Sequence, residues 1–146
     1  MTATDPTARR DARTAALQML YQWEVGRASA QEAIVTYWPS RDDDGAEVDE
    51  AHRDWANGLV RGTVDRVGEI DALLAARAQN WRVERMAVLD RLVLRLATYE
   101  LLAEPATPAK VVINEALELT RTFTGEEAVG FVNGVLDGIR KDLNRE

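Results

Sequence analysis

Apolar residues recur at every third or fourth position over most of the chain, the spacing that lines one face of an α-helix. Trp55, Leu59, Thr63 and Val67, for example, follow one another at intervals of four residues. Ala, Leu, Glu and Arg, which are strong helix formers, are abundant throughout. No run of alternating apolar and polar residues bounded by hairpin turns interrupts the pattern. The sequence therefore predicts an all-α fold.

Prolines, glycines and capping residues divide this pattern into about seven helices. Ser29 with Glu32, and Thr124 with Glu127, have the spacing of capping boxes, in which each residue bonds the other's backbone N–H. The predicted helices cover residues 5–26, 29–38, 49–67, 69–78, 85–103, 108–123 and 124–141. Between them we expect a break or bend at Gly68 and an exposed acidic loop over residues 40–48.

The composition narrows the chemistry that these helices can carry. The 146 residues include no cysteine and one histidine, which excludes disulfides and Cys-ligated metals and argues against histidine clusters. Ser-His-Asp, HExxH, GxGxxG and P-loop patterns are absent from the sequence. We therefore expect no enzymatic activity, catalytic residue, metal site or cofactor, and we expect His52 to be exposed beside the acidic loop.

The formal net charge of −7 is unevenly distributed. Residues 40–54 hold seven acidic residues against two arginines, so the rest of the chain carries only −2 and leaves room for a basic surface. No stretch approaches 18 uninterrupted apolar residues, and the N-terminus lacks the pattern of a secretory signal. We expect a cytoplasmic protein that makes no membrane contact.

Three arginines near the N-terminus break the rules of helix design. Arg9, Arg10 and Arg13 fall on one side of the first helix, where cations oppose the helix macrodipole and repel one another. One interpretation is a solvated chain end, and the other is an arm that binds phosphate through guanidinium groups. If the arm binds phosphate, replacing all three by Ala should weaken RNA binding and leave stability unchanged or slightly raised.

The last helix carries a row of glycines at positions 130, 134 and 138. Glycine costs about 1 kcal/mol in a helix interior, so the row favours tight packing against another helix. Asn114 and Asn133 are interpreted first as structural residues that bond neighbouring backbone. Phe131 and the tryptophans, including Trp55, are interpreted first as core residues, with base stacking as the alternative for Phe131.

Four segments resemble the NusB family. They are RRDARTAALQMLYQWEV at 9–25, VLDRLVLRLATYEL at 88–101, PAKVVINEALELTRTF at 108–123 and FVNGVLDGI at 131–139. The resemblance spans nearly the whole chain except the acidic loop. It implies a single NusB-like domain over 1–146 with two packed helical lobes, the N-terminal lobe at about 5–78 and the C-terminal lobe at about 79–146.

The resemblance also implies a non-enzymatic transcription antitermination factor of bacteria. Such a factor binds boxA RNA together with NusE, a small-subunit ribosomal protein. It acts on elongating RNA polymerase with other Nus factors, especially at ribosomal RNA operons. Family members differ in whether they form homodimers, so a homodimer is left open for this chain.

Site residues follow from the same resemblance. The implied RNA-binding residues are Arg9, Arg10, Arg13, Tyr21, Lys110, Glu127 and Phe131. Asp90 and Arg95 are candidates for contact with RNA or NusE. One departure is Asp11, which stands where the family's arm often carries a further arginine and lowers the local positive charge.

Two other functions stay open at this point. The first is a helical protein–protein adaptor without direct RNA contact, for which replacing Arg9, Arg10 and Arg13 would change little in RNA binding at any salt concentration. The second is a stand-alone relative of the N-terminal RNA-binding domain of ribosomal RNA methyltransferases. The chain has neither the length for a catalytic domain of that kind nor a catalytic cysteine.

Overall fold

The computed structural model describes residues 5–41, 48–78 and 86–146, and the regular secondary structure in those ranges is helical. The α-helices are α1 Pro6–Glu24, α2 Ala30–Arg41, α3 Glu50–Asp65, α4 Val67–Arg77, α5 Val88–Ala103, α6 Ala109–Phe123 and α7 Val129–Asp142. A 3₁₀ turn, Glu126–Ala128, precedes α7. The all-α class and the number of helices are confirmed. Residues 42–47 of the expected loop and the expected start of the fifth helix lie outside the described residues.

Backbone contacts divide the chain into two compact units, the first ending at Val64 and the second beginning at Asp65. The boundary falls before α4 rather than near residue 78, because α4 packs against α5 and α7 of the second unit. The periodicity of a short helix such as α4 does not indicate which other helices it packs against. The boundary expected near residue 78 therefore lies too far towards the C-terminus.

In the first unit, two helices begin at the expected caps. The carboxylate of Asp5 accepts a hydrogen bond from the backbone N–H of Ala8 at 3.0 Å, with Pro6 in the first turn of α1. The Ser29 hydroxyl accepts from the Glu32 backbone at 3.0 Å, and the Glu32 carboxylate accepts from the Ser29 backbone at 2.9 Å. This reciprocal pair confirms the first capping box.

Two helix ends differ from the expected positions. Helix α2 does not end before Pro39 but continues to Arg41. Proline lacks a backbone N–H and removes one helical hydrogen bond, which is tolerated here because the helix ends two residues later. The break between α3 and α4 lies at Arg66 rather than Gly68. The Arg66 guanidinium bonds the carboxylate of Glu69 at 2.9 Å across the first turn of α4, which supports the chain at the break.

Helix α5 is the most buried helix of the second unit, with apolar residues such as Leu94 and Leu96 inaccessible to solvent on several of its sides. Ile113 of α6 is also buried, as its position in the apolar stripe indicates. The buried side chains of α5, α6 and α7 form the core of this unit, so their outward residues are those available for binding.

The second expected capping box does not form. The hydroxyl of Thr124 donates to the backbone carbonyl of Thr120 at 2.9 Å instead of capping α7. Gly125 follows with φ of 140°, a conformation that favours glycine, and lets the chain enter the 3₁₀ turn. Helix α7 therefore begins at Val129, later than the 124–141 expected from sequence.

Candidate nucleic-acid interface

The three arginines of α1 have different environments. Arg10 is exposed, Arg9 is half-buried, and the side chain of Arg13 is only 3% exposed. The guanidinium carbons of Arg9 and Arg13 lie 4.3 Å and 5.0 Å from the centroid of the Trp55 ring in α3. The expectation of a cationic side exposed to solvent is therefore wrong for Arg13 and only partly correct for Arg9.

The physical reason is the angular position of these residues on α1. At 100° per residue, Arg9 and Arg13 lie on the same side as Leu17 and Leu20, which are fully buried. Arg10 lies at the edge of that buried side. The side of α1 that carries apolar residues in its later turns also faces the protein interior in its first turns. There the aromatic ring of Trp55 lies against the side chains of Arg9 and Arg13.

Trp55 is a contributor to this surface that sequence reasoning missed. It was expected in the core, whereas it is half-buried and covered by two guanidinium groups. Trp55 is more than forty residues from the arginines in the sequence, so periodicity could not predict the contact. The only feature in the sequence that pointed to it was an aromatic residue at the edge of the apolar stripe of α3. The arrangement is a cation–π cluster within the first unit.

Tyr21 lies on the exposed face of α1, and 38% of it is accessible to solvent. Tyr21 follows Arg10 by eleven positions, which is close to three full turns, so the two side chains share one face roughly 16 Å apart. A guanidinium and a phenol ring at that spacing are suited to contact a phosphate and a base of one strand. The structure thus brings Arg10 and Tyr21 to one face.

In the second unit, Glu127 and Phe131 are exposed at the 3₁₀ turn and the first turn of α7. Phe131 is 49% exposed, so the interpretation as a core residue is wrong and the ring is a surface aromatic. Val132, its neighbour in α7, takes the buried position instead. Phe131 has the exposure that stacking with a base requires.

Asp90 and Arg95 both lie in α5 but differ in accessibility. Asp90 is half-buried in the first turn, and its Oδ1 atom is buried without a hydrogen-bond partner among the described residues. Arg95 is 5% exposed and donates two hydrogen bonds of 2.9 Å to the carboxylate of Asp71 in α4. Because both groups of this pair are engaged with each other, Arg95 is a structural residue rather than an exposed contact.

Lys110 is exposed in the first turn of α6, where it lines a groove of about 210 Å³ between α6 and α7. Asp137 and Arg140 line the same groove, so α7 runs back along α6 and Lys110 lies near the end of α7. The groove residues of α7, Asn133, Asp137 and Arg140, lie about 180–240° around the helix from Phe131, so Phe131 is on the other side of α7. The structure therefore separates Lys110 from Phe131 and Glu127.

Asn114 and Asn133 also line this groove, and both are exposed. The expectation that these two residues are partly buried is therefore wrong. In the same helix, a Cβ added to Gly130 or Gly134 would meet nothing within 4 Å, so close packing does not explain either glycine. At Gly138 a Cβ would lie 2.8 Å from the Arg77 side chain of α4, so this glycine leaves room for a neighbouring side chain rather than for the backbone of another helix.

His52 is fully buried rather than exposed. Its Nδ1 atom is 2.7 Å from the Asp49 carboxylate, and that same carboxylate accepts the His52 backbone N–H at 2.9 Å. These hydrogen bonds hold the pKa of Asp49 below its usual value. Asp49 is thus the N-cap of α3, and His52 stabilises the helix start.

Two other kinds of site are absent from the residues that the structure describes. No helix there is both long and apolar enough to cross a membrane. No group of three or more His, Cys, Asp or Glu side chains in those residues is placed to hold a metal ion.

Comparisons with known proteins place these features in one family. The family model described as "NusB family" matches residues 10–141. The transcription antitermination protein NusB of Koribacter versatilis is 44% identical over 138 residues, which cover 94% of this chain and 92% of that protein. The protein of the same name from Myxococcus xanthus is 42% identical, with 94% and 98% covered.

Solved structures agree with the sequence comparisons. T. maritima NusB superposes with a TM-score of 0.79 and 35% identity, covering 92% of this chain and 91% of the other. A chain from a crystal structure of antitermination factors NusB and NusE in complex with dsRNA superposes with a TM-score of 0.79 and 26% identity, covering 93% and 98%. The match of the family model over most of the chain, together with these identities, means that the chain belongs to the NusB family.

Proposed function

We propose that this chain is a non-enzymatic RNA-binding antitermination factor that binds boxA RNA together with NusE. It acts on elongating RNA polymerase with other Nus factors, in the cytoplasm and at ribosomal RNA operons. The observation that carries this proposal is the 0.79 TM-score over 93% of the chain with a protein solved together with NusE and dsRNA. The alternative is a protein–protein adaptor that does not contact RNA.

In the first unit, RNA contact begins with Arg10, which is exposed near the start of α1. Arg9 adds a second guanidinium, and Tyr21 continues the same face of α1. Guanidinium groups match phosphate oxygens in geometry and charge, which supports this assignment. Arg13 belongs to the same arm but reaches a phosphate only by leaving its buried position on Trp55.

In the second unit, Phe131 is a stacking platform for a base and Glu127 a polar contact to RNA, while Asp90 of α5 is a contact to RNA or NusE. Lys110 is a separate cationic contact in the α6–α7 groove. The local charges support RNA binding despite the net charge of −7, because seven of the acidic residues lie in residues 40–54.

The test measures binding of a boxA RNA oligonucleotide by fluorescence anisotropy, with and without NusE, at several salt concentrations. Arg10→Ala should weaken binding and flatten the slope of log K against log salt by about 0.7, the value for one lost phosphate contact on a single strand. Arg61→Ala is the matched control, since Arg61 is an exposed arginine of the same unit that bonds Gln31 at 3.2 Å.

NusE binding in the absence of RNA should be equal for both variants, because the arm is not expected to form the protein interface. Equal RNA binding by Arg10→Ala, Arg61→Ala and the unmodified chain at every salt concentration would contradict the role of the arm. Absence of RNA binding by the unmodified chain, with NusE binding retained, would favour the adaptor.

A further inference from the structure

Trp55 connects the arm to the rest of the first unit. The guanidinium carbon of Arg9 lies 4.3 Å from the centroid of its ring, and that of Arg13 lies 5.0 Å from it. Both distances are well within the range of cation–π attraction, and tryptophan is the aromatic residue that attracts cations most strongly. Arg9 is half-buried and Arg13 almost fully buried, so only Arg9 keeps substantial contact with solvent.

Stacking and phosphate recognition use different parts of a guanidinium group. The flat face packs on the indole ring, whereas the N–H donors that match phosphate oxygens lie along the edge of the plane. A long arginine side chain loses considerable rotamer freedom when it binds a phosphate from solution. If the ring already fixes the side chain in the folded protein, much of that entropy is lost on folding rather than on binding.

We propose that Trp55 is a positioning residue, which holds Arg9 in an orientation ready to bind an RNA phosphate. The inference deepens the proposed function and rests on it. Arg13, 3% exposed, supports Trp55 and does not itself contact phosphate in this arrangement. The arm therefore consists of two cations that face RNA, Arg9 and Arg10, and one that supports the tryptophan.

A second tryptophan in the same unit provides a matched comparison. The guanidinium carbon of Arg53 lies 4.9 Å from the centroid of the Trp38 ring, a contact of the same kind and length. Arg53 donates from Nε to the backbone carbonyl of Val48 at 2.8 Å, and Trp38 donates to the side chain of Asn57 at 2.9 Å. This pair connects α2 to the start of α3 and has no residue in the arm.

The experiment is a double-mutant cycle on affinity for boxA RNA, using the full chain at moderate salt. Trp55→Leu should weaken binding roughly three- to tenfold, the range expected for loss of one cation–π contact. Arg9→Ala should weaken it as well, and Trp55→Leu should have little further effect when Arg9 is already Ala. A purely structural role of Trp55 predicts instead that the two effects multiply.

Two further variants keep the result interpretable. Trp55→Phe retains an aromatic face and should restore most of the affinity, which also covers the case in which Trp55→Leu does not fold. Trp38→Phe should leave RNA affinity within about twofold of the unmodified chain, since its effect is confined to stability. Circular dichroism of each variant checks that the helices are intact.

Different outcomes would refute the positioning role of Trp55 and the proposed RNA-binding function. If the unmodified chain binds boxA RNA but the loss caused by Trp55→Leu persists in full in the Arg9→Ala background, the positioning role is refuted. Unchanged affinity in a folded Trp55→Leu variant refutes it equally. If the unmodified chain does not bind boxA RNA even with NusE, the proposed function itself fails.

Discussion

Arg10 and Arg13 lie three positions apart in α1, yet Arg10 is exposed to solvent whereas Arg13 is buried, with only 3% of its surface accessible. Residues with the same chemistry and nearly the same position in the chain therefore have different environments. In α5, Arg95 is likewise a cation withdrawn from the surface, through its two bonds to Asp71. At the scale of single residues, burial separates candidates that the sequence presents as equivalent.

This difference in burial predicts effects on stability of different size. Arg13→Ala should lower the free energy of unfolding by about 1–2 kcal/mol, because it removes a partly desolvated cation–π contact and the packing of the arginine stem. Arg10→Ala should change it by less than about 0.5 kcal/mol, as is usual for an exposed side chain. Urea denaturation followed by circular dichroism measures both values.

Equal stability of the two variants would mean that the contact between Arg13 and Trp55 contributes nothing in solution. The structure also replaces the expectation that a triple alanine variant of the arm keeps full stability. With Arg13 buried and Arg9 stacked, that variant should be less stable than the unmodified chain, so Arg10→Ala is the cleaner test of phosphate binding.

At the scale of helices, two of the three N-terminal caps predicted from the sequence form. The Asp5 cap and the Ser29–Glu32 box form as their spacing indicates. The Thr124–Glu127 spacing is the same as that of the first box, but Gly125 leads the chain into a 3₁₀ turn and Thr124 bonds backward to Thr120. A capping motif is thus decisive only where the backbone after it is helical.

The two boxes therefore provide a matched prediction. Ser29→Ala should lower the free energy of unfolding by about 1 kcal/mol, because it leaves the backbone N–H of Glu32 without its acceptor. Thr124→Ala removes no helix cap and should cost less than about half of that. Thermal unfolding of the two variants at neutral pH gives the comparison, and a larger loss for Thr124→Ala would contradict this account of the two helix starts.

At the scale of the whole molecule, several acidic residues carry hydrogen bonds that hold their pKa values below normal. In the first unit, these are Glu32 through the Ser29 backbone and Asp49 through the His52 backbone. In the second unit, the Arg77 guanidinium lowers the pKa of Asp142, and the Arg66 guanidinium lowers that of Glu69. Both units therefore contain interactions that depend on ionised carboxylates.

These shifts predict that acid destabilises the protein. A carboxyl group whose pKa is lower in the folded state favours folding above its unfolded pKa, near 4, and this contribution disappears as pH falls through the folded pKa. The melting temperature should therefore fall as pH is lowered from about 5 to 3. Since these groups are exposed to solvent, the loss should be moderate and reduced at high salt.

Asp142→Asn supplies the control for this pH dependence. It removes one of the shifted groups, so the variant should be less stable than the unmodified chain at neutral pH and should lose less on acidification. A melting temperature that stays constant between pH 5 and 3 for the unmodified chain would show that these hydrogen bonds do not form in solution.

The sequence alone determined the features that depend on residues a few positions apart. The all-α class, the number of helices and two of the N-terminal caps follow from periodicity and capping chemistry, which act over one or two turns. The family resemblance rests on four such segments and was confirmed by matches over most of the chain. Tyr21 and Phe131, which the resemblance implies as RNA-binding residues, are both exposed, although the residue pattern alone placed Phe131 in the core.

Only the tertiary structure decided which side chains remain at that surface. Arg9 and Arg13 meet Trp55 from more than forty residues away, and Arg95 meets Asp71 across two helices. The placement of α4 with the second unit and the separation of Lys110 from Phe131 depend equally on helix packing. Such contacts join residues far apart in sequence, and helical periodicity specifies the buried side of a helix but not what it packs against.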